Sequence, residues 1–285
     1  MSLGEPIAIA SSLRPRTAAE AGPFRWLLVS AATAFLGLFV LVPLLAVFAT
    51  ALRAGLGRYA GAILHPDARS AIGLTLLTAA IVVPLNALFG IAAGWAIANF
   101  RFRGKRLLIT LIDLPFSVSP VIAGLALVLV FGRQGWLGGW LDTRHVRIVF
   151  AVPGVVLATA FVTVPYVARE VLAVLEAQGN DEETAALTLG AGGWQILIRV
   201  TLPKIRWGLL YGVALCNARA MGEFGAVSVV SGHVRGETIT LPLHAQILYD
   251  QYDAVGAFAV ASLLLFLALF TLVMKKYVEW RSRPA

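Results

Sequence analysis

Arg219 and Glu223 stand four residues apart in a stretch, Trp207–Val230, that is otherwise almost wholly apolar. On a helix this spacing puts both on one face. Two kinds of chemistry are open to such a pair. It can be a structural ion pair that neutralises itself, or its guanidinium can offset the charge of a passing oxyanion, which it matches bidentately. Both hold together if Glu223 releases Arg219 in one conformation. A charge in lipid costs roughly 2.5–3.5 kcal/mol and usually faces a bundle interior or a cavity. Asp113, followed by Leu114-Pro115, is the other charge of this kind. It is expected to pin the helix break made by Pro115 and Pro120 rather than to meet an anion, which its own charge would repel. Ser117, Ser119, Ser228 and Ser231 are hydroxyl donors near these charges, although small polar residues in membrane helices more often serve packing.

Other chemistry is not written in the chain. There is no G-x-x-x-x-G-K-[ST], since Gly104-Lys105 is followed by Arg106, and no G-x-G-x-x-G, H-E-x-x-H or G-x-S-x-G. His65, His145, His233 and His244 lack ligand spacing, and the single cysteine, Cys216, lies in an apolar run. No catalytic residue, metal site or cofactor of its own is therefore expected. The formal charge of +8 does not gather into one patch, so no nucleic-acid partner is expected either.

The elements that must position these residues are membrane helices. The chain is 59% hydrophobic and 13% charged, against about 25% charged in an average soluble domain. Six apolar runs reach the roughly 20 residues needed to cross a bilayer: Trp26–Ala51, Ala71–Ala98, Leu107–Phe131, Phe150–Val171, Trp207–Val230 and Ala257–Met274. Without period-2 alternation they read as helices, giving an all-α integral membrane protein. Ala49-Thr50-Ala51 resembles a cleavage site, but the apolar stretch before it is too long for a signal peptide, so the first run is expected to stay. Pro84 with Asn86, and Pro153 with Pro165, are expected to mark kinks. Arg169-Glu170 is expected to be an interface pair.

Fourteen Lys and Arg residues fall on the side of both termini and the even-numbered connections, seven on the other, and Arg169 and Arg219 inside spans. By the positive-inside rule both termini and the segment 181–203 are cytoplasmic. The expected layout is a tail over 1–25, a first helix and outer loop over 26–70, a five-helix core over 71–274, and a cytoplasmic tail over 275–285. The outer connections Arg133–Val149 and Ser231–Gly256 have room for short helices.

The segment Asp181–Pro203, DEETAALTLGAGGWQILIRVTLP, is the most telling. Its first residues predict a short amphipathic helix that is acidic at its start, where the helix dipole favours negative charge. Ala185, Ala186 and Leu189 give a small, shallow apolar face, and Gly190, Gly192 and Gly193 permit a sharp turn. A lipid-anchoring face would be built from Leu, Phe and Trp. A face this small suits close approach by another protein. Leu202-Pro203 is expected to stop the helix that follows.

This spacing, an acidic-Ala-Ala triplet, a Gly, nine residues and an aliphatic-x-Leu-Pro, resembles the EAA loop of the binding-protein-dependent ABC importer permeases. LIDLPFSVSPVIAGL (111–125), GWLGGWLD (135–142), VTLPKIRWGLLYGV (200–213) and NARAMGEFGAVSVVSGHVRGET (217–238) also look like that family, within its sulfate/molybdate branch. The resemblance implies a type I importer permease with six transmembrane helices in the bacterial inner membrane, forming half of a pathway for sulfate or thiosulfate. It implies a second permease subunit, a dimer of ABC ATPase subunits that bind the ATP, and a periplasmic sulfate/thiosulfate-binding protein. The coupling residues it implies are Glu183, Thr184, Ala185, Ala186, Gly190, Leu202 and Pro203. Thr184 departs from the pattern, because the family has Glu there, and Glu183 one place earlier is expected to substitute. The competing reading is a self-contained secondary transporter or channel using Arg219, Glu223 and Asp113, which leaves the loop spacing unexplained.

Overall fold

The computed structural model describes residues 22–282, and among them every regular element is helical. The chain divides into two units, residues 1–49 and 50–285. The first is a helical run, α1 (Gly22–Leu36), a π turn (Gly37–Leu41) and the start of α2 (Val42–Leu52), with Leu38 and Phe39 exposed. Of the expected N-terminal tail, residues 1–21 lie outside the described residues.

The second unit continues with α3 (Gly55–Leu64), α4 (Pro66–Asn99), α5 (Lys105–Ser117), α6 (Pro120–Phe131), α7 (Gly138–Thr143) and α8 (Val152–Gln178). Then follow α9 (Asp181–Thr188), α10 (Gly193–Ile196), a π turn (Leu197–Thr201), α11 (Leu202–Met221), α12 (Gly225–Val230), α13 (Leu241–Asp250) and α14 (Ala254–Ser282). Proline starts helices here more often than it kinks them. Pro66, Pro120 and Pro153 all lie in the first two positions of a helix, where the missing N–H costs nothing. Pro153 thus opens α8, and Pro84 and Pro165 lie inside helices that run on unbroken. The short helices α7 and α13 occupy the two connections with room for them.

Among the described residues four helical stretches are long and apolar enough to cross a membrane: Arg25–Leu52, Pro66–Asn99, Val152–Gln178 and Ala254–Thr271. The run Leu107–Phe131 is α5 and α6, bent by 113°, and counts as a fifth if the pair is one span. The run Trp207–Val230 is also divided, because α11 ends at Met221 and α12 begins at Gly225. The divider is Glu223, whose Oε1 accepts from Ala226 N (2.9 Å) and so caps the new helix instead of continuing the old one.

Helix α8 is the pole of the second unit. Gly90 and Gly94 of α4 turn their bare faces to it, and so do Gly208 and Gly212 of α11. A Cβ on Gly90 would lie 2.8 Å from Val167 Cγ1 and 2.9 Å from Ala168 N. One on Gly208 would lie 2.4 Å from Val174 Cγ2. In lipid, apolar side chains gain nothing by leaving water, so helices associate by such close backbone approach and by hydrogen bonds. Asn86 of α4 supplies the latter at the junction. Its Nδ2 donates to Ala160 O (3.2 Å) and Thr163 Oγ1 (2.8 Å) of α8, and reaches Cys216 Sγ (3.8 Å) of α11. Val167, Val171, Leu175, Ile205 and Cys216 form one buried cluster between α8 and α11.

Replacing Gly90 with Ala is expected to lower stability by about 1–3 kcal/mol, because the clash is with α8 backbone and the helices must part. Gly73→Ala is the control, since nothing lies within 4 Å of its Cβ position. Thermal unfolding of the purified chain in detergent should show a lowered midpoint for the first variant and none for the second.

Candidate functional site

The loop between α8 and α11 is built around one glycine. Gly190 has φ +83°, a conformation that costs an L side chain strain. There Gly190 N donates to Leu187 O (3.0 Å) and Ala191 N to Ala186 O (3.0 Å), closing α9. Just beyond, Gln195 Oε1 accepts from Gly192 N (3.1 Å) and opens α10. The reversal leaves Leu189, 87% exposed, and Trp194, 76% exposed, standing out from the chain. Thr184 and Ala185 are exposed beside them, and Ala186 is half-buried.

Glu183 does not share that face. It is buried, with Oε2 2.9 Å from Lys204 Nζ and Oε1 accepting from Thr201 Oγ1 at 3.3 Å. Lys204 Nζ also donates to Gly179 O (2.7 Å), just past the end of α8. The expectation that Glu183 offers its charge outward in place of the missing acid is therefore not what the side chain does in this conformation. Leu202-Pro203 does not stop a helix either. The backbone is helical from Gly193 to Met221, and the π turn, with Leu202 N bonded to Leu197 O, takes up the strain of a ring without an N–H. Leu202 is half-buried and Pro203 exposed along this continuous rod.

At the far end of α11, Arg219 Nη1 lies 2.6 Å from Glu223 Oε2. The Glu223 side chain is fully buried while that of Arg219 is 31% exposed, so the cation is the accessible member. This break abuts the other. A Cβ on Gly225 would lie 2.9 Å from Pro120 Cβ, and one on Gly124 2.8 Å from Ala226 O, so α6 and α12 pack backbone to backbone. Ser117 and Ser119 are exposed at the α5–α6 break, whereas Ser228 donates to Gly225 O (2.8 Å) and Ser231 is buried.

Asp113 pins its element as the sequence suggests, with a partner the sequence does not reveal. Arg169 of α8 grips both carboxylate oxygens, and Phe116 meets Tyr166 edge-on one turn along (5.3 Å between centroids). Arg169 and Lys204 are the partners that spacing could not find. They are 56 and 21 residues from their partners, and only the fold brings them together.

A cavity of about 630 Å³ between α3, α4 and α13 is lined by Arg58, His65, Asp67, Arg235, His244 and Asp253. Arg58 Nη2 donates to Asp253 Oδ2 (3.0 Å), joining α3 to the start of α14.

Helices alone among the described residues, four or five of them apolar spans, with two apposed helix breaks, define a multi-pass membrane protein. The family model described as the binding-protein-dependent transport system inner membrane component matches residues 88–284. The sulfate transport system permease protein CysW of Escherichia coli (strain K12) is 49% identical over 257 residues, 90% of this chain and 88% of that protein. CysT, the sulfate transport system permease protein of the same strain, is 35% identical over 238 residues, 84% of this chain and 86% of that protein. The crystal structure of a bacterial alginate ABC transporter, in complex with an alginate pentasaccharide-bound periplasmic protein, has a chain of the same fold. Its TM-score is 0.74 at 17% identity, over 91% of this chain and 94% of that one. The chain belongs to the binding-protein-dependent transport permease family and is a multi-pass inner membrane component.

Burial pushes the His244 imidazole below its ordinary value of 6.5, helped by His65 and Arg235 and opposed by Asp67. The folded chain therefore holds this ring neutral, and as pH falls below about 6.5 the unfolded chain takes up the proton first. The stabilisation is full above that pH and lost below it. His244→Gln should narrow the gap between unfolding midpoints measured at about pH 7.5 and about pH 5.5.

Proposed function

We propose that this chain is one of two permease subunits of an ATP-driven importer for sulfate and thiosulfate, docked to separate ATPase subunits through residues 181–203. The observation that carries the docking is the small exposed face of Thr184, Ala185 and Leu189 on a helix of eight residues closed by the left-handed Gly190. The cargo rests on the relatives named above. CysW and CysT are both sulfate permeases of one organism, and this chain resembles the first more than the second. CysT marks the kind of subunit that would complete the pathway. A periplasmic sulfate-binding protein would deliver the anion from outside. The remaining topology is part of this reading: six crossings, with α11 and α12 as the fifth, and both termini in the cytoplasm.

In the mechanism, ATP closes the ATPase dimer and draws the docked α9 segments together. The motion passes into α11, and through it to the break at Gly222–Phe224. There Arg219 offsets the charge of the dianion while Glu223 holds the cation in place between passages. A ligand shifts such an equilibrium only by its difference in affinity for the two states. The two faces of the Arg219–Glu223 pair, engaged and released, supply one.

Gly190→Leu forces a side chain into a left-handed backbone at a cost of about 1–3 kcal/mol. Leu189→Glu places a charge on the docking surface without touching the fold. Both chains should insert into the membrane but retain less than about a tenth of wild-type ATP-dependent uptake of labelled sulfate, and Leu189→Glu should lose co-purification of the ATPase. Normal uptake in both would remove the loop from the coupling path.

A further inference from the structure

We propose that Glu183 and Lys204 form a buried positioning strut that makes the docking helix α9 and the long helix α11 move as one body, a role that rests on the coupling function proposed above. Four contacts meet at this point. Glu183 Oε2 lies 2.9 Å from Lys204 Nζ, Glu183 Oε1 accepts from Thr201 Oγ1 (3.3 Å), Lys204 Nζ donates to Gly179 O (2.7 Å), and Glu182 Oε2 stands 4.0 Å from the same nitrogen. The side chains of Glu183 and Lys204 are 5% and 6% exposed. Three elements are tied together there: the end of α8 through Gly179, α9 through Glu183, and the root of α11 through Thr201 and Lys204.

The arrangement is out of proportion to what holding a surface loop requires. Neighbouring Asp181 and Glu182 are exposed, and a surface ion pair contributes little. A pair withdrawn this far from water must be matched in geometry and hydrogen bonding, and the loss of one partner leaves an uncompensated charge. The pair therefore resists small relative displacements of α9 and α11 that apolar contacts would let slide. The π turn serves the same end. Its last residue is Thr201 and Lys204 follows in the next turn, so the shift of register it introduces is what brings both side chains to Glu183. By helical rise, Arg219 lies roughly 22 Å further along the same rod. A push on α9 that α11 cannot evade is delivered to the ion pair at the other end.

The test uses the complete transporter in proteoliposomes, with this chain, its second permease subunit, the ATPase and the binding protein, and reads ATP hydrolysed per labelled sulfate taken up. Lys204→Met strands the Glu183 carboxylate. The ATPase should still co-elute, and ATP consumed per sulfate should rise at least about fivefold. The double variant Glu183→Met, Lys204→Met removes both charges and should return the ratio to within about twofold of wild type. A residue needed only for folding would reduce the yield of complex and leave the ratio of the surviving complex alone. If the Lys204 variant does not assemble, Glu183→Gln, which keeps the shape and removes the charge, takes its place under the same criteria.

A second readout needs no cargo. Spin labels on Ala185→Cys and Arg206→Cys should give one narrow distance distribution with and without nucleotide, and a broad one when Lys204→Met is added. An unchanged transport ratio, or an unchanged distribution in that variant, overturns the strut. Failure of the wild-type complex to take up sulfate counts against the transport reading and leaves the distance measurement to decide the strut.

Discussion

Helix α8 can be approached at backbone distance from two sides, and the placement of every functional group in the second unit follows from that. The glycines of α4 and α11 are each spaced by four, Gly90 with Gly94 and Gly208 with Gly212, so each pair presents one bare stripe. Without those stripes α11 would stand off from the pole, and its two ends would lose their fixed relation to α5, α6 and α9. Asn86 completes the arrangement, because a buried amide that has found its partners in two neighbouring helices admits one register only.

Charge enters where this packing is interrupted. Asp113 and Arg169 clamp α5 to α8 just before the α5–α6 bend, Glu183 and Lys204 bridge the reversal between α8 and α11, and Arg219 with Glu223 marks the end of α11. The second and third lie at places where backbone groups run out of helical partners. Glu223 shows the double use most clearly, because one oxygen caps α12 while the other faces the guanidinium. A site that must open and close is best placed at such an interruption, since two discrete arrangements exist there and the smooth helical runs have only one.

Much of this was legible in the chain because it is local. Hydropathy alone gives the run from α1 to α2 and the helices α4, α8 and α14, and the glycines after the triplet give the turn at Gly190. The pairing of Arg219 with Glu223 follows from four-residue spacing, even though Glu223 proves to lie just beyond the helix. What could not be read is non-local. Nothing near Asp113 names Arg169, and nothing near Glu183 names Lys204, which counted in the sequence only as a positive charge on one side of a membrane. Pro203 misled for a different reason. Proline is a helix breaker by rule, and a single π turn upstream is enough to carry the helix past it. The bend between α5 and α6 was visible as two prolines, but its size depends on α6 having α12 to pack against.

The departure at Thr184 now has a physical meaning. Moving an acid one residue along a helix rotates it about 100° around the axis. An acid at Glu183 therefore cannot stand in for one at position 184, whose side chain is exposed while that of Glu183 is buried. What α9 and the turn after it present outward is Asp181, Glu182, Thr184, Ala185, Leu189 and Trp194, acidic at the start of the helix and apolar beyond it. In the proposed docking, Trp194 is the residue of the kind that dominates interfaces. The Glu183 carboxylate is turned inside instead, where Lys204 and Thr201 donate to it. On the proposed function, recognition and force transmission are thus divided between two faces of an eight-residue helix.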